Sequence, residues 1–242
     1  MPPPLGAAVR IWRRGMRLSA ALAGVFALAG VAVLIGLGVW QLQRLEWKQG
    51  VIAALEARLA AAAAPVPDRP DPERDGFLRV RVAGTTGAEE LHVLTSVRPH
   101  GPGFRVIATL TDADGRRVLV DLGYVPEAAK NAGPRFVDPV EVTGALYWPE
   151  ETDGFTPAPD RNANIWFARD LAPMAAALGT EPLLVIAESV SPPPLAGEWP
   201  KPLRLGVNLP NDHLQYAITW FLLALVWAVM GALLVRRERR RG

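Results

Sequence analysis

Cysteine is absent from all 242 residues of the chain. This absence excludes thiolate metal sites, disulfide exchange and the covalent attachment of a c-type haem. Histidine and methionine are scarce as well, with three and four residues respectively. Because copper sites favour clusters of Cys, His and Met and the methionines here are scattered, we do not expect a copper-binding protein.

The familiar motifs of catalytic sites are also missing. None of the histidines, His92, His100 and His213, lies in a nucleophile elbow or in the spacing of a zinc-binding H-E-x-x-H motif. The Gly-Pro-Gly segment at 101–103 has no Lys or Thr after it at the spacing of a phosphate-binding loop. The sequence therefore predicts a protein that is not an enzyme. We expect His100 to be a loop residue and His92 to be a strand residue that is solvated or hydrogen-bonded.

Uncharged apolar sequence is abundant and falls in two long runs. The first lies between Arg17 and Arg44, and the second begins at Leu214 and ends before Arg236. At about 1.5 Å per residue, each run is long enough to cross the roughly 30 Å of hydrocarbon in a bilayer. The first run is also longer than the apolar core of a signal peptide, about 7 to 15 residues, so we expect an uncleaved anchor. The predicted transmembrane segments are 18–43 and 213–235.

The distribution of arginines predicts the orientation of these spans. Four arginines precede the first span and five follow the second, and basic flanks favour the cytoplasmic side. The tails 1–17 and 236–242 are therefore predicted to be cytoplasmic, and residues 44–212 to be periplasmic. Between the tails, 17 basic and 23 acidic residues remain. The high isoelectric point thus comes from the tails; we expect contact with a lipid bilayer and no nucleic-acid binding.

The outer segment predicts a β-rich domain. Residues 45–64 have helix-forming composition and extend the first span, until repeated prolines at 65–72 end the helix. Seven short segments of strand-like composition or alternation follow. These strand candidates are 77–84, 90–97, 104–111, 117–125, 140–148, 163–169 and 181–189.

One short helix is expected among the strands, at 169–179, with Asp170 as its cap and Gly179 as its stop. The predicted fold class is a membrane protein in which two transmembrane helices flank an exported β-rich domain of α+β type. The strands are expected to form an antiparallel sheet or a small barrel.

His213 is distinctive because it lies at the beginning of the second span. Helical spacing brings Tyr216, Trp220 and Trp227 to within about 60° of it on one face. An amphipathic porphyrin would suit such a face, since imidazole is a common axial ligand of haem iron and aromatic rings can flank the macrocycle. Equally, the aromatic residues could form an interfacial belt in which His213 is a tolerated polar residue.

The outer end of the first span carries a polar and aromatic stripe, formed by Trp40, Gln41, Arg44, Trp47 and Lys48. One interpretation is a membrane anchor, with tryptophan at the interface and basic side chains extending to the headgroups. The other is a site where Arg44 or Lys48 meets carboxylates, such as haem propionates or an acidic partner.

Small residues occur on both spans and would allow close helix packing or contact with a partner protein. Such packing of the two spans would bring their outer ends together. The small residues are Ala23, Ala27 and Gly30 on the first span and Ala224, Ala228 and Ala232 on the second.

Five segments, in this order, resemble the surfeit locus protein 1 family, the assembly factors of haem–copper cytochrome oxidase. Together they cover most of the chain from Gly38 to Phe221. One departure is Leu122 in "DLGYVP", where the family commonly has Arg, which puts any role of that Arg in doubt. The segments are "GVWQLQRLEWK", "VRPHGPGFRVIATL", "GRRVLVDLGYVP", "GALYWPEETDGFTPAPDRNANIWFARDL" and "LPNDHLQYAITWF".

The resemblance implies a two-span protein of the bacterial inner membrane that assists maturation of oxidase subunit I. It implies haem a as the bound cofactor and His213 as the axial ligand of its iron. Subunit I is the expected partner, and the enzyme that synthesises haem a is a second candidate partner. A haem-free scaffold that stabilises subunit I during maturation is the alternative. The expected haem-binding residues are His213, Trp220, Tyr216, Arg44, Trp40 and Gln41.

Overall fold

The computed structural model describes residues 5–195, 197–207 and 209–241. The chain forms two compact units. The first contains the residues up to Ala53 together with those after Val207, and the second is Ala54–Val207. The first four residues of the predicted N-terminal tail lie outside the described part, as do the side chains of its arginines and of Arg239 and Arg241.

Two long helices make up most of the first unit. Helix α1 is Leu5–Ala60 and helix α4 is His213–Arg241. Both contain a stretch long and apolar enough to cross a membrane, within Ala21–Ala60 and His213–Glu238. Helix α1 continues without interruption beyond the apolar run, as its helix-forming composition predicts, and ends five residues before Pro65.

Glycines bring the two helices into close antiparallel contact. A Cβ added to Gly38 of α1 would lie 2.5 Å from Cε1 of Phe221 on α4. Further along, a Cβ added to Gly231 of α4 would lie 2.5 Å from the Cβ of Ala27. Because real carbon atoms do not approach so closely, glycine is required at both positions for this separation of the helix axes.

The predicted alanine faces are only partly used in this contact. Ala27 lies in the helix interface and Ala224 is buried. Ala228 and Ala232 are exposed and border a groove beside the pair. Ala217, seven residues before Ala224 on α4, is completely buried.

The second unit is a domain built on a six-stranded mixed sheet. The strands are β1 Ala64–Pro65, β2 Arg79–Val97, β3 Gly101–Thr111, β4 Arg117–Pro126, β5 Val140–Tyr147 and β6 Leu184–Ser191. The short helices are α2 Pro72–Asp75, a 3-10 turn Glu127–Ala129 and α3 Leu171–Leu178.

The strand order is β1-β2-β3-β4-β6-β5, and β5 also pairs with β2. Strand β2 pairs with two other strands: Arg79–Gly84 with β5, and Thr85–Val97 with β3. The pairing with β3 has an irregularity between Thr86 and Glu90. The β-rich prediction is confirmed, but the sheet is mixed, since β1 pairs with β2 and β4 with β6 in parallel.

Both faces of the sheet are buried around β4. One face forms the larger core cluster, which includes Val80, Val106 and Leu122. The other face packs against α3, whose Met174 and Leu178 are buried. A sheet covered on both sides explains why β4 is an almost continuous buried apolar strand.

Two local predictions need correction. Residues 163–169 do not form a strand: within them, only single bridges join Trp166 to Val93 and Ile165 to Asp160. Trp166, Ala168 and Arg169 are buried, but the backbone of the segment forms no ladder beyond these bridges. The predicted strands 77–84 and 90–97 are parts of the one long strand β2.

Helix α3 follows its sequence signals closely. Asp170 occupies the N-cap position, although its side chain makes no capping hydrogen bond. Gly179 ends the helix in a left-handed conformation, with φ of 63°, which a residue without a Cβ adopts at little cost.

Candidate functional site

The first residue of α4 is hydrogen-bonded to α1. Nδ1 of His213 lies 2.7 Å from Oε1 of Gln41. An amide oxygen can only accept a hydrogen bond, so Nδ1 carries the proton and donates it. In a neutral imidazole with this tautomer, Nε2 keeps its lone pair and is available as an acceptor or a metal ligand. The structure thus brings together two of the predicted site residues, which are 172 positions apart in the sequence.

The segment that precedes α4 is held by a second polar contact. Lys48, two turns beyond Gln41 on α1, donates from Nζ to the carbonyl oxygen of Pro210. Next to it, Oδ1 of Asn211 is buried and accepts no hydrogen bond within the described residues. The Lys48 contact and the Gln41–His213 hydrogen bond together fix the beginning of α4 against α1.

Several of the predicted aromatic residues are exposed near this hydrogen bond. Trp40 and Tyr216 are 53% and 56% exposed, whereas Trp220 is half-buried. The guanidinium carbon of Arg44 lies 4.0 Å from the centre of the Trp47 ring, a cation–π contact that holds the charge beside an apolar surface.

Helical geometry puts these side chains on one lateral face of the helix pair. With a turn of about 100° per residue, Arg44 lies about 60° to one side of Gln41, and Tyr216 about 60° to one side of His213. Phe26 has nearly the same angular position on α1 as Arg44, and Trp227 has nearly the same position on α4 as Tyr216. The rings of Phe26 and Trp227 are in contact, with centroids 5.6 Å apart. Arg44 and Tyr216 therefore border the same face as that aromatic pair.

A buried charge network that the sequence did not predict lies in the second unit. Asp121 of β4 is completely buried, and its carboxylate pairs with both Arg105 and Arg169. Arg169 also pairs with Glu151. Burial raises the pKa of Glu151, but hydrogen bonds from Arg169 outweigh it and hold that pKa below its usual value. The signal that could have found this network is the lone Asp in the apolar run "VLVDLG".

His92 belongs to a second buried network. Its Nε2 lies 2.8 Å from Oε1 of Glu90, and its Nδ1 lies 3.1 Å from the side-chain amide of Asn164. Arg135 binds the same glutamate. Burial raises the pKa of Glu90, and the hydrogen bonds from His92 and Arg135 lower it by more, so its pKa lies below the usual value. The expectation of a hydrogen-bonded strand histidine is confirmed.

His100 lies in the turn between β2 and β3, as predicted. Its ring stacks on Tyr124, at 5.9 Å between centroids, and meets the edge of Trp199 at 5.1 Å. The neighbouring Gly123 has φ of +108°, and a Cβ there would overlap the carbonyl oxygen of Lys201. Leu122, the departure noted in the segment "DLGYVP", is buried in the larger core cluster.

The described residues contain no group of three or more His, Cys, Asp or Glu arranged to hold a metal ion. The helix pair provides the imidazole of His213. Its Nδ1 is hydrogen-bonded to Gln41, and the lone pair of its Nε2 is available to a ligand. This arrangement suits a ligand that brings its own metal coordination, such as a porphyrin.

Comparison with known proteins gives one consistent family. Residues 28–225 match the model of the SURF1 family, and this range includes both Gln41 and His213. The chain is 31% identical over 235 residues to a SURF1-like protein of Monosiga brevicollis, covering 89% of each. It is 32% identical over 226 residues to a SURF1-like protein of Drosophila melanogaster, covering 83% of this chain and 73% of that one. Surfeit locus protein 1 of Homo sapiens is 31% identical over 211 residues, covering 77% and 68% respectively.

Proposed function

Because this chain belongs to the SURF1 family, whose members are cytochrome c oxidase assembly factors rather than catalysts, we propose that it serves the maturation of a haem–copper oxidase. In this proposal it binds haem a at the outer membrane edge and assists its insertion into subunit I. The two apolar helices anchor it in the bacterial inner membrane, with the sheet domain in the periplasm.

The hydrogen bond between Gln41 and His213 is the observation that carries the proposal. At 2.7 Å, with Oε1 of Gln41 as the acceptor, it puts the proton of His213 on Nδ1 and leaves the lone pair of Nε2 available to a ligand. Metal-bound histidines commonly donate their other ring N–H to an oxygen acceptor, which fixes the ring and raises its basicity. In the proposed site Gln41 is that acceptor and His213 is the axial ligand.

The neighbouring side chains fit the rest of an amphipathic porphyrin. The exposed rings of Trp40 and Tyr216 offer apolar contact to the macrocycle, and Trp220 extends this surface toward the hydrocarbon. Arg44, exposed beside Trp47, is suited to a propionate, since guanidinium and carboxylate form charge-assisted hydrogen bonds. Haem, when bound, would supply an iron that the imidazole of His213 would hold. The protein supplies the imidazole, the aromatic contacts and the positive charge.

Such a site answers a physical problem of haem transfer. Haem a is too apolar and too reactive to be released into water. A site on a helix pair at the outer edge of the bilayer can keep the macrocycle in contact with the hydrocarbon while its polar edge faces the headgroups. Subunit I is the proposed recipient, and the enzyme that synthesises haem a is the proposed donor.

The alternative function, a haem-free scaffold for subunit I, rests on a different observation. Ala228 and Ala232 of α4 are exposed on the side of the helix pair, and small residues allow close approach of another membrane helix. Under this alternative, changes at Ala228 and Ala232 would reduce co-purification of subunit I, and loss of the His213 imidazole would leave both that co-purification and the haem content of the oxidase unchanged.

The test is the optical spectrum of the full-length protein, purified in detergent from cells that make haem a. We expect a haem a band in the oxidised and reduced spectra of the wild type and of His100→Ala. The second variant removes the imidazole in the turn between β2 and β3. His213→Ala should lose the band while keeping its far-ultraviolet circular dichroism and its elution volume. A wild type without haem, or a His213→Ala variant with full haem content, would contradict the proposal in favour of the scaffold.

A further inference from the structure

A second candidate site lies at the opposite end of the helix pair. A groove of about 590 Å³, bordered by both helices, lies near the end of α4. This volume is in the range of ligand pockets, roughly 300 to 1,000 Å³. Its apolar lining includes Gly24, Leu28, Val31, Ala228, Ala232 and Val235.

Two arginines complete the lining of this groove, Arg236 and Arg240. They are four residues apart and therefore neighbours on one face of α4. Neither forms an ion pair with a carboxylate in the part of the chain that the structure describes. The groove thus combines an apolar channel with two unneutralised guanidinium groups, which together match a ligand with an apolar tail and an anionic head.

We propose that this groove binds one anionic phospholipid. The lipid phosphate pairs with Arg236 and Arg240, because guanidinium groups form bidentate hydrogen bonds with phosphate oxygens. One acyl chain lies along the small side chains of Gly24 and Ala228, which leave room that larger residues would fill. Basic pockets between membrane helices are known to bind anionic lipid headgroups.

The lipid site is independent of the proposed haem site. Arg236 is 23 residues beyond His213, or about 35 Å along a helix, a distance comparable with the thickness of the hydrocarbon. The phospholipid therefore belongs to the leaflet on the far side of the membrane from His213. A His213→Ala variant is expected to keep its lipid preference, so the two proposals can fail separately.

The other side of the helix pair provides a matched control. A groove of about 460 Å³ there is also bordered by both helices, but it is partly filled by Phe26 and Trp227 and has one arginine, Arg237, in its lining. Arg237→Gln and Arg240→Gln each remove one charge from the same end of the same helix. A general effect of charge on lipid binding would be equal in both variants.

The experiment is a lipid titration of the full-length protein in detergent, followed by native mass spectrometry. Phosphatidylglycerol and phosphatidylcholine with identical acyl chains are compared. We expect the wild type to bind one phosphatidylglycerol about tenfold or more tightly than phosphatidylcholine. Arg240→Gln should weaken phosphatidylglycerol binding about fivefold, and the double variant Arg236→Gln/Arg240→Gln about 25-fold. Arg237→Gln should change it less than twofold.

A variant whose groove is filled distinguishes binding in the groove from a general attraction of the lipid to positive charge. Ala228→Leu keeps both arginines and fills the channel, so we expect it to weaken phosphatidylglycerol binding as much as the loss of one arginine. Equal binding of the two lipids by the wild type would overturn the proposal. So would equal effects of Arg237→Gln and Arg240→Gln, unchanged binding in Ala228→Leu, or a second copy of the chain bound in place of the lipid.

Discussion

The indole ring of Trp227 lies directly on Gly30, where even a Cβ would overlap its Nε1. The same indole N–H donates a hydrogen bond of 3.2 Å to the carbonyl oxygen of Ala27. The bulky Trp227 of α4 thus packs against the backbone of α1 and also forms a hydrogen bond with it. Lipid chains are as apolar as leucine, so contacts of this kind, rather than exclusion from water, hold membrane helices together.

This packing predicts that Gly30→Leu separates the helix pair. Overfilling a packed interface typically costs about 1–3 kcal/mol. Gly36→Leu is the matched control, because a Cβ at Gly36 has no neighbour within 4 Å. In the cysteine-free background, disulfide formation between Gly24→Cys and Val235→Cys reports the contact. We expect a severalfold lower yield with Gly30→Leu and an unchanged yield with Gly36→Leu; equal yields would show that the glycine contact is dispensable.

The tautomer of His213 predicts a graded effect of Gln41 on haem binding. Loss of a group that orients a metal-binding histidine typically reduces affinity about 10–100-fold without abolishing it. We expect this loss in Gln41→Leu, measured by haem titration, and none in Gln43→Leu, which changes an exposed glutamine of the same helix. Gln41→Glu keeps an acceptor for Nδ1–H and makes the imidazole more basic, so it should restore binding and lower the haem midpoint potential. Wild-type affinity in Gln41→Leu would refute the orienting role.

The buried carboxylate of Asp121 predicts a large loss of stability on truncation. Asp121→Ala would leave Arg105 without its buried partner and remove one partner of Arg169. Breaking a buried ion pair costs about 3–5 kcal/mol, and denaturant unfolding followed by tryptophan fluorescence measures the cost. Asp114→Ala, which truncates an exposed aspartate, should have almost no effect. Similar unfolding midpoints for the two variants would mean that the arginines find other partners.

The ionisation of Glu90 predicts an acid-sensitive domain. Its pKa in the folded protein is lower than its ordinary value of 4.5. The stabilisation from this carboxylate is therefore fully present above that value and is lost as the pH falls through the lower, folded pKa. Wild type and Glu90→Gln should differ in melting temperature at neutral pH and converge as the pH falls below about 4.5. Glu89→Gln, at the exposed neighbour, should follow the wild type throughout; a constant difference for Glu90→Gln would contradict this account.

Local patterns in the sequence were sufficient for the two apolar helices and for α3, but they did not predict that α1 begins at Leu5. The apolar runs predicted two helices able to span a membrane, and the second helix begins at His213. Gly179 ends α3 as expected, because a left-handed residue after a helix is a local requirement. Close packing of the two spans was one predicted use of the small residues, and the contact between Ala27 and Gly231 confirms it, but Ala228 and Ala232 stay exposed.

The sequence could not predict the charge networks, nor which of the strand-like segments would join the sheet. Arg105, Asp121 and Arg169 lie on separate elements and meet only through the sheet pairing of β3 and β4 and the packing of the segment before α3. Residues 163–169 have the composition of a strand but bury only one large aromatic ring, that of Trp166. Both outcomes depend on contacts between distant segments, which a period of two or 3.6 residues does not encode.

The two glycines of α1 that pack against aromatic rings also determine the position of His213 along α1. Gly30 and Gly38 are eight residues apart, and the positions four residues to either side of them are Phe26, Leu34 and Leu42. If α4 slid along α1 by one turn, about 5.4 Å, Trp227 and Phe221 would each collide with one of these bulky side chains. The helix pair therefore has a single alignment along its axes, and contacts several turns away fix the position of the imidazole beside Gln41.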